Sequence, residues 1–289
     1  MKQLVMLMLC LILTVPALGQ GLEDNVSEYS SANGQLYLQP LADAFGANIN
    51  SGWFSTARIP RYGIRFQFGL KAMAAFITES QKTFSPVPES GFNPPSGTEL
   101  PTVFGDEEGV EIPGLGVSVP GVWNTSYFPM VVPQLTVGSF FGTEASIRYI
   151  SLRINEEIGQ ISLFGWGIRH SLSQYIPLIP FDIAAGYFWQ QFKVGDLVEA
   201  NASLAGLQAS YSLSVLTLYA GLGLESSTLN VKYLFEEEGE SVNVQFDLKG
   251  TNRFRTTLGI ALNLPVIKIH ADYNMGSQNT ACAGVSFGF

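Results

Sequence analysis

The sequence predicts an all-β fold, an antiparallel transmembrane β-barrel, and three observations carry that expectation. The chain is apolar yet offers no long apolar run after its first residues, polar and apolar residues alternate in segment after segment, and the polar rows hold charge. Charged residues make up 13% of the 289 and aromatics 12%, where ordinary globular domains carry about a quarter charged. A helical membrane protein of this composition would need roughly 20 consecutive apolar residues per span. Strands closed into a barrel are the other way to satisfy a backbone in lipid.

The amino terminus has its own character. Lys2 precedes an apolar run from Leu4 to Val15, and Ala17-Leu18-Gly19 offers small residues for cleavage before Gln20, so residues 1–19 read as a signal peptide. The run of about a dozen residues is too short to span a bilayer as a helix, and Cys10 lies inside it without the setting of a lipidated cysteine. Removing 19 residues leaves 270, with Cys282 as the remaining thiol, so no intrachain disulfide is expected. The net charge of −9 becomes −10 once Lys2 has gone. That balance repels phosphates and excludes nucleic acid as a natural partner.

Residues 20–60 lack strict alternation and are expected to form an amino-terminal periplasmic or plug segment, followed by the barrel over 61–289. Within the segment Leu38, Leu41, Ala42 and Phe45 have helical spacing and predict a short amphipathic turn. Alternation begins with Ile64, Phe66, Phe68 and Leu70 against Arg65, Gln67 and Lys71. Phe164, Trp166 and Ile168 continue it, then Ile183, Ala185, Tyr187 and Trp189, then Leu207, Ala209, Tyr211 and Leu213, then Leu216, Leu218, Ala220 and Leu222. Between Gly142 and Asn155 the apolar parity changes, from Ile147 and Tyr149 to Leu152 and Ile154, and predicts a β-bulge near Ile150. Val242, Val244, Phe246 and Leu248 share even numbers with Phe254, Leu258, Ile260 and Leu262, so 241–264 reads as one long strand with its even residues facing lipid. In the stretch "VIKIHADYNMG", residues 266–276, Ile267, Ile269, Ala271 and Tyr273 alternate with Lys268, His270, Asp272 and Asn274. A soluble sandwich would keep its charges on the outer face. Rows mixing charge with Gly, Ala, Ser and Thr fit a filled lumen better.

The count is about ten strands, within a range of ten to fourteen: 62–78, 130–141, 142–154, 158–173, 180–193, 196–213, 214–235, 240–264, 265–276 and 279–289. A twelve-strand alternative makes Asn48 to Ala57 a wall strand and splits the long ones. Four connections, at 140–142, 174–180, 212–215 and 264–265, are short and uncharged. The opposite connections hold Glu156 and Glu157, Asp196 and Glu199, the run "EEEGE" at 236–240, and the long segment 79–127, with seven prolines and seven acidic residues against Lys82. Short turns at the periplasmic side and long loops outside are the barrel pattern, so the acidic loop 79–127 is expected outside, partly folded over the mouth.

The final stretch "ACAGVSFGF" ends on Phe289, with Ala281, Ala283, Val285 and Phe287 on the same face. It resembles the carboxy-terminal signature of bacterial outer-membrane barrels, which implies recognition by the barrel-assembly machinery and a place in the outer membrane of a Gram-negative-type bacterium. The stretch "YLQPLADAFGANINSGWFSTARIP" is similar to the opening of an uncharacterised family of secreted barrels. It is also distantly similar to the fatty-acid transporter superfamily, whose amino-terminal segment plugs the lumen. Those transporters are longer and have more strands.

Trp53 and Phe54 in the plug, with Arg65, Lys71, Arg253, Arg255, His270 and Asp272 on the inward rows, are the candidate binding residues, and a small hydrophobic or anionic solute is the candidate cargo. Arg148 and Arg169 extend the basic row, and Glu144, Asp182, Glu225, Asp247 and Asp272 offer charge balance inside a plugged interior. His270 and Asp272 share a face and resemble half of an omptin protease site, but no second carboxylate pair faces them, so a structural polar ladder with Lys268 and Arg255 is the expectation. A phospholipase-type barrel needs Ser and His together on the lipid face, which is not found. No enzymatic activity, cofactor or metal is expected, since two histidines and one mature cysteine give no metal cluster.

Overall fold

Ten staves close on themselves in the computed structural model, which describes residues 31–89, 92–111, 118–155, 159–176, 178–195, 197–237 and 240–288. The expected signal peptide over 1–19, residues 20–30 of segment 20–60, Glu156 and Glu157, Asp196, Glu238 and Phe289 lie outside the described residues. The wall runs through β1 (Arg65–Phe76), β6 (Tyr127–Phe140), β7 (Thr143–Asn155), β8 (Gly159–Ser171), β9 (Asp182–Val194), β10 (Val198–Leu213) and β11 (Leu216–Glu237). It continues through β12 (Glu240–Lys249) and β13 (Phe254–Asn263), which share one stave, then β14 (Ile267–Met275) and β15 (Thr280–Gly288). All pairings are antiparallel, and β15 pairs with β1, so first and last strands form the closing seam. The stretch Asn48 to Ala57 is in no strand, which removes the twelve-strand alternative.

The tight connections fall together at one end, the turn end, and the long ones at the other, the loop end. The 22-residue β11 joins the two. Its inner part pairs with β13 from Leu216↔Leu262 to Leu224↔Phe254, and its outer part pairs with β12 from Thr228↔Lys249 onward. The pairing slips by one residue across 250–253. That slip corrects the expectation of one continuous strand with even residues outward. Leu258, Ile260 and Leu262 do face out, but Phe246 and Leu248 are buried inside while Gln245 and Asp247 are exposed.

In β7 the correction runs the other way. Its pairing with β8 holds one register from Thr143↔His170 to Arg153↔Gln160, so there is no bulge near Ile150. The apolar residues change parity because their surroundings change, while the strand stays regular. The same exchange occurs along a line through Tyr149, Phe164, Trp189, Ala205 and Leu224. Toward the turn end the outward residues are apolar, such as Ile147, Ile168, Tyr187, Leu207 and Leu222, all strongly exposed. Toward the loop end they become Ser151, Ser162, Lys193, Asn201 and Asn230, and the inward partners become Leu163, Phe192, Ala202 and Leu229. Exposed aromatics mark both margins of the apolar belt, with Tyr62, Phe140, Phe141 and Tyr175 at the turn end and Phe76, Tyr149 and Phe164 at the other. Such a belt is the lipid-facing band of a transmembrane barrel.

The inward apolar residues of the loop-end half surround α1 (Ser31–Ile49), a 19-residue helix where the sequence predicts only a short turn. Tyr37, Leu38, Leu41, Ala42, Ala44 and Phe45 are buried along one face, and from Leu41 to Ile49 every residue is buried, as expected of a helix whose second half is held within a core. Pro40 lies within the helix, and its missing N–H and ring clash are the reason a sequence reading stops short there. Phe246, Leu248, Leu229 and Val132 pack on α1, and Leu100, Val103 and Phe104 come down on it from segment 79–127. That segment holds two small ladders, β2 (Thr83–Phe84) with β3 (Leu100–Pro101) and β4 (Val110–Glu111) with β5 (Ser118–Val119). Phe104, Trp123 and Phe128 lie ring to ring within 5.9 Å, so the described part of the loop is folded over the mouth.

Candidate functional site: the plugged lumen

After Ile49 the chain leaves α1 and descends through the lumen toward the turn end, where β1 begins. A non-helical backbone at this depth has carbonyls without partners of their own, and each must be satisfied by the wall. Three arginines do most of this. Arg148, fully buried, donates from Nη1 to the Ile49 carbonyl at 3.0 Å and from Nη2 to the Ser51 carbonyl at 2.9 Å. Arg255 donates to the Ala47 carbonyl at 2.7 Å and to Ser51 Oγ at 2.6 Å. Arg169 reaches the Thr56 carbonyl at 3.0 Å. The guanidinium fork suits this work, because its five donors lie in a plane and can meet two carbonyls and a wall partner at once.

Each arginine is also anchored on the wall. Gln134 and Gln190 hold Arg148, and Gln190 itself donates to the Ile49 carbonyl. Glu225 pairs with Arg255 at 3.0 Å, and Glu144 pairs with Arg169. Further bonds come from Ser210 Oγ, which accepts the Ala57 N–H at 2.9 Å, and from Thr280, whose hydroxyl lies 2.7 Å from that of Ser51. Hydrogen bonds involving a charged group contribute about 1.5–3 kcal/mol each, so plug and wall stabilise one another.

The aromatic pair expected in the plug is buried. The Trp53 ring lies under the Arg148 guanidinium at 3.6 Å and stacks on Phe188 with centroids 4.7 Å apart. Phe54 rests on two wall glycines, where an added Cβ at Gly206 or Gly221 would come within 2.9 Å of its ring. Gly52 supplies the turn between these contacts, with φ of +74° and Cys282 Sγ 2.9 Å from where a Cβ would stand. Asn48 Oδ1, Asn50 Oδ1 and Trp53 Nε1 are buried with no hydrogen-bond partner among the described residues.

Lys71, His270 and Asp272 meet on the facing wall, although not with the expected partners. Lys71 Nζ lies 2.5 Å from His270 Nε2, and His270 Nδ1 lies 3.4 Å from Asp272 Oδ2. Tyr219 donates to the same Asp272 oxygen at 2.9 Å, and Asn274 donates to the other at 2.7 Å. Arg255 belongs instead to Glu225, and Lys268 lies nearer the turn end. His270, Asp272 and Cys282 place three potential ligand atoms within 4.8 Å of one another, with the Lys71 ammonium on His270 Nε2. Arg253 is exposed in the irregular stretch between β12 and β13, which removes it from the lumen row, and Asp247 likewise faces out. Arg65 lies at the turn end, on the wall of a cavity of about 320 Å³. Gln190, Tyr219, Ser210 and Thr280 make plug or wall hydrogen bonds that no sequence pattern marks, since a neutral side chain on an inward row looks like any other.

No curated protein sequence matches the chain. Several solved outer-membrane barrels are similar to it in fold. The N-terminal β-barrel domain of Pseudomonas aeruginosa OprF is 15% identical, covering 51% of this chain and 96% of its own, with a TM-score of 0.26. Neisserial surface protein A is 11% identical over 78% of this chain and 99% of its own, with a TM-score of 0.26. The Pseudomonas putida toluene transporter TodX is 9% identical over 88% of this chain and 97% of its own, with a TM-score of 0.30. The resemblance of the plug to fatty-acid transporters gains no support from these matches. Over residues 1–289 the chain matches, and so belongs to, the family described as "Family of unknown function (DUF6588)".

Proposed function

We propose that this member of the DUF6588 family is an outer-membrane channel of a Gram-negative-type bacterium, held closed by its own amino-terminal segment and passing small polar solutes when that segment moves. The observation that carries this reading is what fills the lumen. In the lipid-belt half the space is occupied by residues 47–57, while the wall beside Phe54 presents glycine. Displacing the plug leaves a lumen lined by Lys71, Arg148, Arg169 and Arg255 beside Glu144, Glu225, Asp272 and neutral polar residues, a surface of both signs that suits polar solutes over hydrophobic cargo. His270 and Asp272 serve in this reading as wall ties, with no catalytic role. The turn end lies in the periplasm and the acidic loop 79–127 outside.

A second reading, a structural or surface-interaction barrel without transport, is favoured by the apolar core that α1 forms with the loops at the outer mouth. Conductance in planar bilayers separates the two. A variant lacking residues 31–58 is expected to conduct well above the full chain while keeping the heat-modifiable migration of a folded barrel. Should that deletion fail to fold, the Trp53→Ala/Phe54→Ala double variant keeps α1 and loosens the plug alone. A folded variant of either kind that conducts no more than the full chain rejects the channel in favour of the structural barrel.

A further inference from the structure

The turn-end cavity of about 320 Å³ is walled by Arg58 from the plug, Arg65 from β1 and Lys268 from β14, and no Asp or Glu lines it. In a chain of net charge −9 this is an unusual place. Elsewhere in the lumen Arg169 and Arg255 each have a carboxylate in contact. Among the described residues none of the three cavity cations forms an ion pair. Glu144, the acidic residue nearest to Lys268 in effect, is already engaged by Arg169, and Asp182 acts on Arg58 from beyond ion-pair distance. Three like charges therefore line one cavity with no carboxylate in contact among the described residues, and an anion placed between them relieves their repulsion.

We propose that this vestibule binds a phosphoryl group, either as a small soluble phosphate compound or as the headgroup of a phospholipid. Two guanidinium forks and an ammonium match a compact anion with several oxygens, because each arginine can meet two of them and the lysine adds a point charge. The neutral groups on the same wall, Ser212, Thr217, Asn263 and Ser286, supply further donors for oxygens the cations do not reach. A carboxylate, with one charge and two oxygens, would leave much of the cationic field unmet. No aromatic side chain lines the cavity, so nothing there selects a nucleobase. Because Arg58 follows directly on the stretch tied by Arg169 and Ser210, an occupant also bridges the lower end of the plug to β1 and β14. The site stands whether or not the barrel conducts.

Titration calorimetry on the full-length barrel, folded in detergent with its plug in place, tests the site with inorganic phosphate and with glycerol 3-phosphate. Saturable binding is expected, weakened about tenfold by Arg65→Gln or Lys268→Gln and retained in Lys268→Arg, and weakened again by added salt. Phosphorus analysis of barrel extracted from membranes provides the second arm. Phospholipid retained by the natural chain and lost from the Arg65→Gln/Lys268→Gln variant, without binding of either soluble compound, assigns the site to a headgroup. Binding of the soluble compounds without retained lipid assigns it to a free solute. Neither binding nor retention in the folded natural chain overturns the proposal, and so does binding that the double variant leaves unchanged.

Discussion

The two halves of the barrel wall share strands, register and closure, yet their faces are exchanged. In the turn-end half Leu218 and Leu222 face out and Tyr219 faces in; farther along the same β11, Asn230 faces out and Leu229 faces in. Alternation with a period of two reports only that a segment is a strand. Which parity is apolar reports the medium on each side. Leu216 to Leu224 falls within the roughly 9–11 residues that cross a bilayer. Beyond that length the wall behaves as a soluble protein does, with an apolar core around α1 and a wet exterior.

The largest expected effect belongs to the polar interior of the first half. Arg255→Ala leaves Glu225 buried with its partner gone, and the Ala47 carbonyl without its donor, in a site where both charged side chains are 1% exposed. A loss of about 3–5 kcal/mol is expected for breaking such a pair, measured by urea unfolding in lipid vesicles, and Glu225→Gln on top of it should recover part. An unchanged midpoint would mean the pair contributes little to holding the plug. Next comes the exchange of faces. Leu222→Arg puts a charge in the lipid belt and should cost about 2–4 kcal/mol, while Asn230→Arg on the same strand should stay within about 0.5 kcal/mol. Equal costs would erase the boundary drawn through Leu224.

The smallest effect is at Asp43, on α1 in the loop-end half. Burial lifts its carboxyl above the ordinary value of 3.8, and the Thr251 N–H and Gln39 amide pull it partway back. A group that holds its proton more tightly when folded contributes its stability below the unfolded value and loses it as pH rises through the raised folded one. Asp43→Asn, whose carbonyl can still accept the Thr251 N–H, should flatten that mildly acidic slope and change stability at neutral pH by about 1 kcal/mol or less. A slope that survives the substitution assigns it to another group.

Strand number and closure were legible because alternation survives any medium. The ladder of β13, β14 and β15 could be read from the polar row Lys268 to Asn274 and its apolar complement. Parity alone misplaces Phe246 and Leu248, because an apolar row signals lipid in one half of the wall and a packed helix in the other. The length of α1 was hidden by Pro40. Arg148 and Arg169 stood on an inward row, but their acceptors on the plug are backbone carbonyls, which every residue has and no pattern reveals. The cavity cations come from three separate elements, and the participation of Arg58 depends on how the plug lies.

The seam between β1 and β15 has a further consequence for how the molecule comes to exist. The segment ahead of β1 runs through a ring whose first and last staves are hydrogen-bonded to each other. With side chains a helix is about 10–12 Å wide, and α1 lies on the far side of the packed layer that Trp53, Phe54 and Arg148 form. Once the ring is shut, α1 can reach that position from the turn end only as an unravelled thread. Closing the ring around a helix already in place needs no such passage, so the last strand to pair is also the clasp that fixes which side of the wall the first residues are on.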